Sequence, residues 1–386
     1  MNFYNINTSS NFDLIFNKIG SHDYAYNLKD KTELLLIYIC DISSVAANIL
    51  KQDALSIGAD LLTNKNAIFG GEERSDALLI ISKSQAKKLI PKLKLQDFRL
   101  NRLADFLNKQ LLSKSYTNPQ IMGVINLTDN SFNPSSMAND KTIISKIEDF
   151  IQNGADIIDI GGASSKPNSV YIGEEYEFEN IKNSIDLIYE HKLYEKVDFS
   201  LDSFNPKCVK YALDKGFKIV NDISANMSLI SLVQKYHATY VLMHASNEYL
   251  SSFFGKNHFN EYAAFNGNIL DKVYNFFKAH LEVIDYDKVI LDIGIGFGKS
   301  MGENMLLIKQ LSHFNSLNLP ILVGASRKGM INHYHKSEVE QRLAGTLFLH
   351  LKAIENGANI IRVHDVYEHK QLLELLKGYN EVDNEL

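Results

Sequence analysis

Cysteine is almost missing from this chain. Only Cys40 and Cys208 occur among 386 residues, both in apolar surroundings and neither with a partner at metal-ligand spacing. That excludes a disulfide framework and a zinc site, and reads as two core thiols. An excess of positive charge is missing too: 40 Lys and Arg stand against 46 Asp and Glu, for a net charge of -6. With the lysines scattered and no basic stripe, nucleic acid is excluded as a partner. No stretch approaches the ~18 uninterrupted apolar residues of a membrane span, and the opening MNFYNINTSS has no basic segment followed by an apolar run. A cytoplasmic chain with no membrane contact is therefore expected.

What is present is an ordinary globular composition, 45% hydrophobic and 22% charged, enough for two domains or one large decorated one. From residue 119 onward, short apolar β-branched runs alternate with longer amphipathic segments. The runs are 120–126, 155–161, 196–202, 217–222, 239–244, 288–294, 320–326 and 358–364. Two of the helical segments between them, KTIISKIEDFIQNGA and SEVEQRLAGTLFLHLKAIENGA, end in an Asn-Gly-Ala suited to a helix C-cap. Eight strand–helix repeats in about 260 residues match the size of a (β/α)8 TIM barrel. A doubly wound open sheet is the rival fold. Residues 1–117 read as an appended N-terminal α/β region without a catalytic constellation, with TELLLIYICDI and ALLIIS as strands and a basic amphipathic stretch from about Ser84 to Lys114. Polar SKSYTNP forms the junction, Pro119 ends any helix before it, and 118–386 is the expected barrel domain.

A β/α barrel builds its active site from the C-terminal ends of its strands. Here those ends carry Asn126, Asp159, Asp202, Asn221 with Asp222, His244, Asp292, Ser326 to Lys328, and Arg362 with His364 and Asp365. One strand-end Asp or Asn commonly does no more than cap a helix. Eight such ends gathered at one mouth need a ligand, or each other, to offset desolvation. Asp202, Asn221 and Asp292 suit a flat heterocycle presenting N–H donors, with Lys328 approaching from the side. Phosphate is expected away from those carboxylates, at Arg362 and His364, which share one side of the last strand at i, i+2. The alternative for Arg362 is a structural pair with Asp365. The glycine-rich LDIGIGFGKS matches no P-loop spacing; it suggests a close-approaching loop with Phe297 as a wall and Lys299 as a second cation. GGASSKP and NLTDNSFNP have the composition of lids.

Taken together, MGVINLTDNSF, DIGGASSKP, SLDSF, VNDIS, VLMH, LDIGIGFGKS, ILVGASRKG and RVHDV resemble dihydropteroate synthases, in order, from Ile121 to Val366. The resemblance implies a barrel that condenses 6-hydroxymethyl-7,8-dihydropterin pyrophosphate with p-aminobenzoate, uses Mg²⁺ and forms a homodimer. By resemblance, Asp202, Asn221, Asp292 and Lys328 hold the pterin, with Asp202, Asp292 and Lys328 also serving catalysis. Arg362, His364 and Lys166 meet pyrophosphate, Asn126 meets the magnesium ion, and Ser165, Phe297 and Gly329 line the p-aminobenzoate side.

The sequence departs from the family pattern in several places. The first loop reads Thr128-Asp129-Asn130-Ser131-Phe132, which moves a carboxylate by one position. Lys166 replaces the arginine of the second loop, Gly329 a serine, and Ile293 a proline. Two other readings are a folate-binding methyltransferase of the same barrel type and a non-catalytic pterin-binding or scaffolding protein. RVHDV and GASRK, which serve a pyrophosphate, speak against the first.

Overall fold

The computed structural model describes residues 1, 3–70, 74–112, 118–127, 142–162, 171, 173–254 and 267–385. Its chain divides into two compact units, Met1–Ser113 with Leu375–Leu386, and Lys114–Glu374.

In the first unit, β1 (Leu34–Ser43), β2 (Asp60–Leu62) and β3 (Arg74–Ser82) form an antiparallel sheet in the order β1-β3-β2. The strands place alternate residues on opposite faces. Leu61, Leu79 and Ile81 turn inward and pack with Leu50, Leu89, Leu93 and Leu107 of the helices Ser44–Leu55, Lys83–Lys94 and Leu100–Leu112. The second of these helices starts with a capping box between Ser82 and Gln85. The same alternation corrects the expectation for Cys40. It shares the outer face of β1 with Leu34, Leu36 and Tyr38 and is exposed, whereas Cys208 is buried.

The second unit is a closed barrel of parallel strands: β4 (Gln120–Asn126), β5 (Ile157–Gly161), β6 (Asp198–Asp202), β7 (Ile219–Asp222), β8 (Thr239–Met243), β9 (Val289–Asp292), β10 (Ile321–Val323) and β11 (Ile360–Val363). Closure runs β10-β11-β4-β5-β6-β7-β8-β9, which rules out the open sheet. The expected cap sites hold: Gly154 and Gly357 follow helices Ile143–Gln152 and Leu343–Glu355 with φ of 88° and 108°, in the left-handed region that glycine enters without strain.

Parity along these strands sorts the barrel into layers. Met122, Ile157, Ile219, Val241, Ile290, Leu322 and Ile360 make one buried interior cluster. Residues of opposite parity, such as Ile158, Phe199, Leu201, Val220, Tyr240, Leu291 and Ile361, pack with the surrounding helices. Two residues beyond the interior cluster, on the same face, stand Asp159, Asn221, Asp292 and Arg362, with Asp202 two beyond Ser200. The polar mouth is thus built directly on the apolar floor.

Close packing of the outer layer gives a stability test. A Cβ on Gly123 of β4 would lie 2.6 Å from the ring of Phe150 and 3.0 Å from Val366. Gly123→Ala is expected to lower stability by about 1–3 kcal/mol, read as a lower urea midpoint at unchanged slope. An unchanged midpoint would mean that the ring moves aside freely.

Candidate active site

Arg362 reaches from β11 across the interior of β4 to two carboxylates. Its Nε lies 2.7 Å from Oδ2 of Asp159 on β5, and its Nη2 lies 2.6 Å from Oδ2 of Asp202 on β6. Asn221 on β7 donates Nδ2 to the same Asp159 oxygen at 3.0 Å. Asp159 is fully buried, and its Oδ1 has no hydrogen-bond partner among the described residues. Burial pushes Asp202 up, while the Arg362 guanidinium beside it pulls it back down.

This arrangement brings Asp202, Asn221 and Arg362 together but corrects one expectation. The anion-binding arm does not lie apart from the ring-binding carboxylates, because Arg362 is ion-paired to one of them. The alternative pairing of Arg362 with Asp365 is not formed. That carboxylate takes Arg327 in a bidentate pair at 2.9 and 2.5 Å.

The opposite wall is the turn after β9. Asp292 Oδ1 accepts Gly294 N–H at 2.7 Å, and burial raises its pKa against the pull of Lys328. Lys328 Nζ donates to Ile295 O and stands 4.7 Å from the centre of the Phe297 ring. Burial lowers the Lys328 ammonium to about 8, with Asp292 opposing the shift. Lys299 is not the second ligand cation expected. Its Nζ donates to His244 O at 2.9 Å, Gly294 O at 2.7 Å and Phe297 O at 3.4 Å, and burial lowers it to about 7. An ammonium spent on three carbonyls is a loop tie. Gly294 is required beside it: its φ is 63°, and a Cβ would run into His244 O.

His364 Nδ1 lies 2.8 Å from Ser326 Oγ. Burial and the nearby Arg362 lower its pKa to about 3, so the ring is neutral. Gly329 opens the helix Gly329–Tyr334, and a Cβ there meets nothing within 4 Å. Asn126 ends β4 opposite Gly161, whose missing Cβ would lie 3.4 Å from Asn126 Oδ1 and 3.8 Å from Asp202 Oδ2. Ser165, Lys166 and the first-loop residues 128–132 lie outside the described residues.

Two strand-end residues separate from the group. Asp222 turns outward and is satisfied by Ser224, Asn226 and the Tyr240 hydroxyl, the last at 2.7 Å. His244 also faces outward, edge-on to Phe276. Conversely, Asp159 is more central than its place in the sequence suggested. Its inward parity, shared with Ile157, was the available signal.

The arrangement offers acceptors for a donor-rich ring, two cations beside them, and a neutral imidazole near Arg362. The family model described as pterin binding enzyme matches residues 122–364. A bifunctional dihydropteroate synthase/dihydropteroate reductase of Helicobacter pylori is 38% identical over 95% of this chain and 96% of its own length. The dihydropteroate synthase of Clostridium beijerinckii is 30% identical over 65% of the chain and 90% of its own length. Among solved structures, the Yersinia pestis dihydropteroate synthase in a sulfonamide drug complex superposes with a TM-score of 0.61 at 26% identity, covering 70% of this chain and 97% of that one. The chain belongs to the dihydropteroate synthases, transferases among the pterin-binding enzymes.

Proposed function

We propose that this chain condenses 6-hydroxymethyl-7,8-dihydropterin pyrophosphate with p-aminobenzoate through the side chains gathered on β5, β6, β7, β9 and β11. The observation that carries the residue assignment is the shared ion pair of Arg362 with Asp159 and Asp202. Asp202, Asn221 and Asp292 take the N–H and NH₂ groups of the pterin ring, and Lys328 donates to a ring acceptor. Once ring donors satisfy Asp202, the Arg362 Nη2 is released towards the leaving group, with the neutral His364 as a further donor. The methylene C–O bond breaks with its electron pair going to pyrophosphate. Asp202 and Asp292 stabilise the cation that develops on the pterin methylene. The aromatic amine, already neutral near pH 7, attacks that carbon and then loses one proton to water. Phe297, with Ser165 and Gly329, lines the p-aminobenzoate side, and Lys166 adds to the pyrophosphate grip.

Among the described residues, no group of three or more His, Cys, Asp and Glu could hold a metal ion. That donor set fits a magnesium ion carried largely by the phosphates of the substrate, with Asn126 as the protein oxygen. When bound, magnesium would neutralise charge on the departing pyrophosphate. A cytoplasmic homodimer is proposed on the family resemblance. No helix among the described residues is long and apolar enough to cross a membrane.

A second activity is favoured by where the relatives align. The bifunctional Helicobacter pylori protein matches 95% of this chain, whereas the Clostridium beijerinckii synthase matches 65% while spanning 90% of itself. A synthase therefore needs little beyond the barrel. The first unit accounts for most of the difference, and we assign it to reduction of dihydropteroate.

Three outcomes test these readings. With both substrates and Mg²⁺, the full chain should release pyrophosphate, and Arg362→Ala should lower kcat/KM by about 100- to 1000-fold; undiminished turnover would remove Arg362 from the mechanism. Because burial lowers Lys328 to about 8, its cation persists below that pH and is lost above it. The kcat/KM for the pterin substrate should accordingly fall on the alkaline side, and Lys328→Arg, which stays charged, should abolish that fall; an alkaline limb that survives in this variant assigns it to another group. Finally, the full chain given 7,8-dihydropteroate with a reduced nicotinamide or reduced flavin should consume it in a two-electron reduction. Failure with both donors would refute the second activity.

A further inference from the structure

The turn carrying Ser326, Arg327 and Lys328 is held from behind by the helix Leu343–Glu355. Thr346 Oγ1 accepts Arg327 N–H at 2.9 Å, and His350 Nε2 accepts Ala325 N–H at 3.0 Å. Ser326 and Lys328 point elsewhere, to His364 and to Ile295 O.

His350 continues the connection. Its Nδ1 lies 2.8 Å from His369 Nε2, and His369 Nδ1 lies 2.6 Å from Asp365 O. Both rings are fully buried. The groups at the two ends assign every proton. A backbone N–H can only donate, so His350 Nε2 is bare and its proton sits on Nδ1. His369 Nε2 must accept that proton's bond, so its own proton also sits on Nδ1 and goes to the carbonyl of Asp365. An extra proton on His350 would face Ala325 N–H, and one on His369 would face the proton of His350. Burial holds both imidazoles below the ordinary histidine range.

We propose that His350 and His369 are positioning residues of the synthase: as one directed, neutral chain they tie the Ala325–Lys328 turn to Asp365 and thereby fix Lys328 relative to His364. The Arg327–Asp365 pair ties the same two segments in parallel, with Arg327 held at a φ of 54° and its guanidinium also donating to Val339 O and Glu340 O. Two ties resist twisting about either one. Neither imidazole is assigned to a substrate. The proposal rests on the reading that Lys328 and His364 meet the pterin pyrophosphate.

Two measurements on the full chain test it. Histidine nitrogen-15 spectra at pH 7 should give neutral rings with Nδ1–H for both residues and a scalar coupling across the N–H···N bond; an Nε2–H or a cationic ring at either position overturns the chain. In the pyrophosphate-release assay, His369→Phe keeps a ring but breaks the chain, and should lower kcat about tenfold per folded molecule with a smaller change in KM. His369→Gln, able to accept from His350 and donate to Asp365 O, should recover most of that loss. A merely structural role would lower the Tm of both variants and leave kcat per folded molecule unchanged, which refutes the proposal. Failure of the site reading has a different signature: Lys328→Met would turn over normally, and the positioning role would fall with it whatever the ring protons show.

Discussion

A single partly buried cation organises the mouth of this barrel. Arg362 is tied to Asp159 and Asp202 at 2.7 and 2.6 Å, which offsets the cost of placing two carboxylates side by side in the barrel mouth. The geometry demands arginine in particular. Closure places β4 between β11 and β5, so the side chain must cross one strand and still aim two donors at two different acids. A lysine ammonium lacks that fork. The rest follows from parity: Asp159, Asp202, Asn221 and Asp292 share the inward face with Arg362.

The same economy of polar groups governs the loops. After β9, Lys299 gathers the carbonyls of His244, Gly294 and Phe297, which shapes the turn presenting Ile295 O and Phe297 to Lys328. After β10, backbone N–H groups are met by Thr346 and His350. Each of these turns is therefore shaped in part by hydrogen bonds made away from the ligand side.

The first unit poses a different problem. Its inner sheet face is filled by apolar helices, while Leu34, Leu36 and Tyr38 on the outer face of β1 remain exposed. A synthase of 90% coverage aligns with only 65% of this chain, and the bifunctional relative aligns with nearly all of it. The extra unit is thus shared with a protein of two activities, which is the basis for assigning it a chemistry of its own.

By itself the sequence determined the barrel, its eight strands, the helix ends at Asn-Gly and the identities at the mouth. Those features follow from local periodicity and from one polar residue at each strand end, both written in consecutive positions. Only the tertiary structure decided which of those residues face one another. Asn221 and Asp222 are neighbours in the chain, yet one meets Asp159 inside the barrel and the other a tyrosine on the outer face of β8. Arg362 found Asp159 and Asp202, leaving Asp365 to Arg327. Lys299 looked like a ligand cation and proved to be a loop tie, and Cys40 looked buried and is exposed. Ion-pair choice and the side of a strand that meets solvent depend on distances across the closed barrel and on packing of separate elements, and no local pattern encodes either.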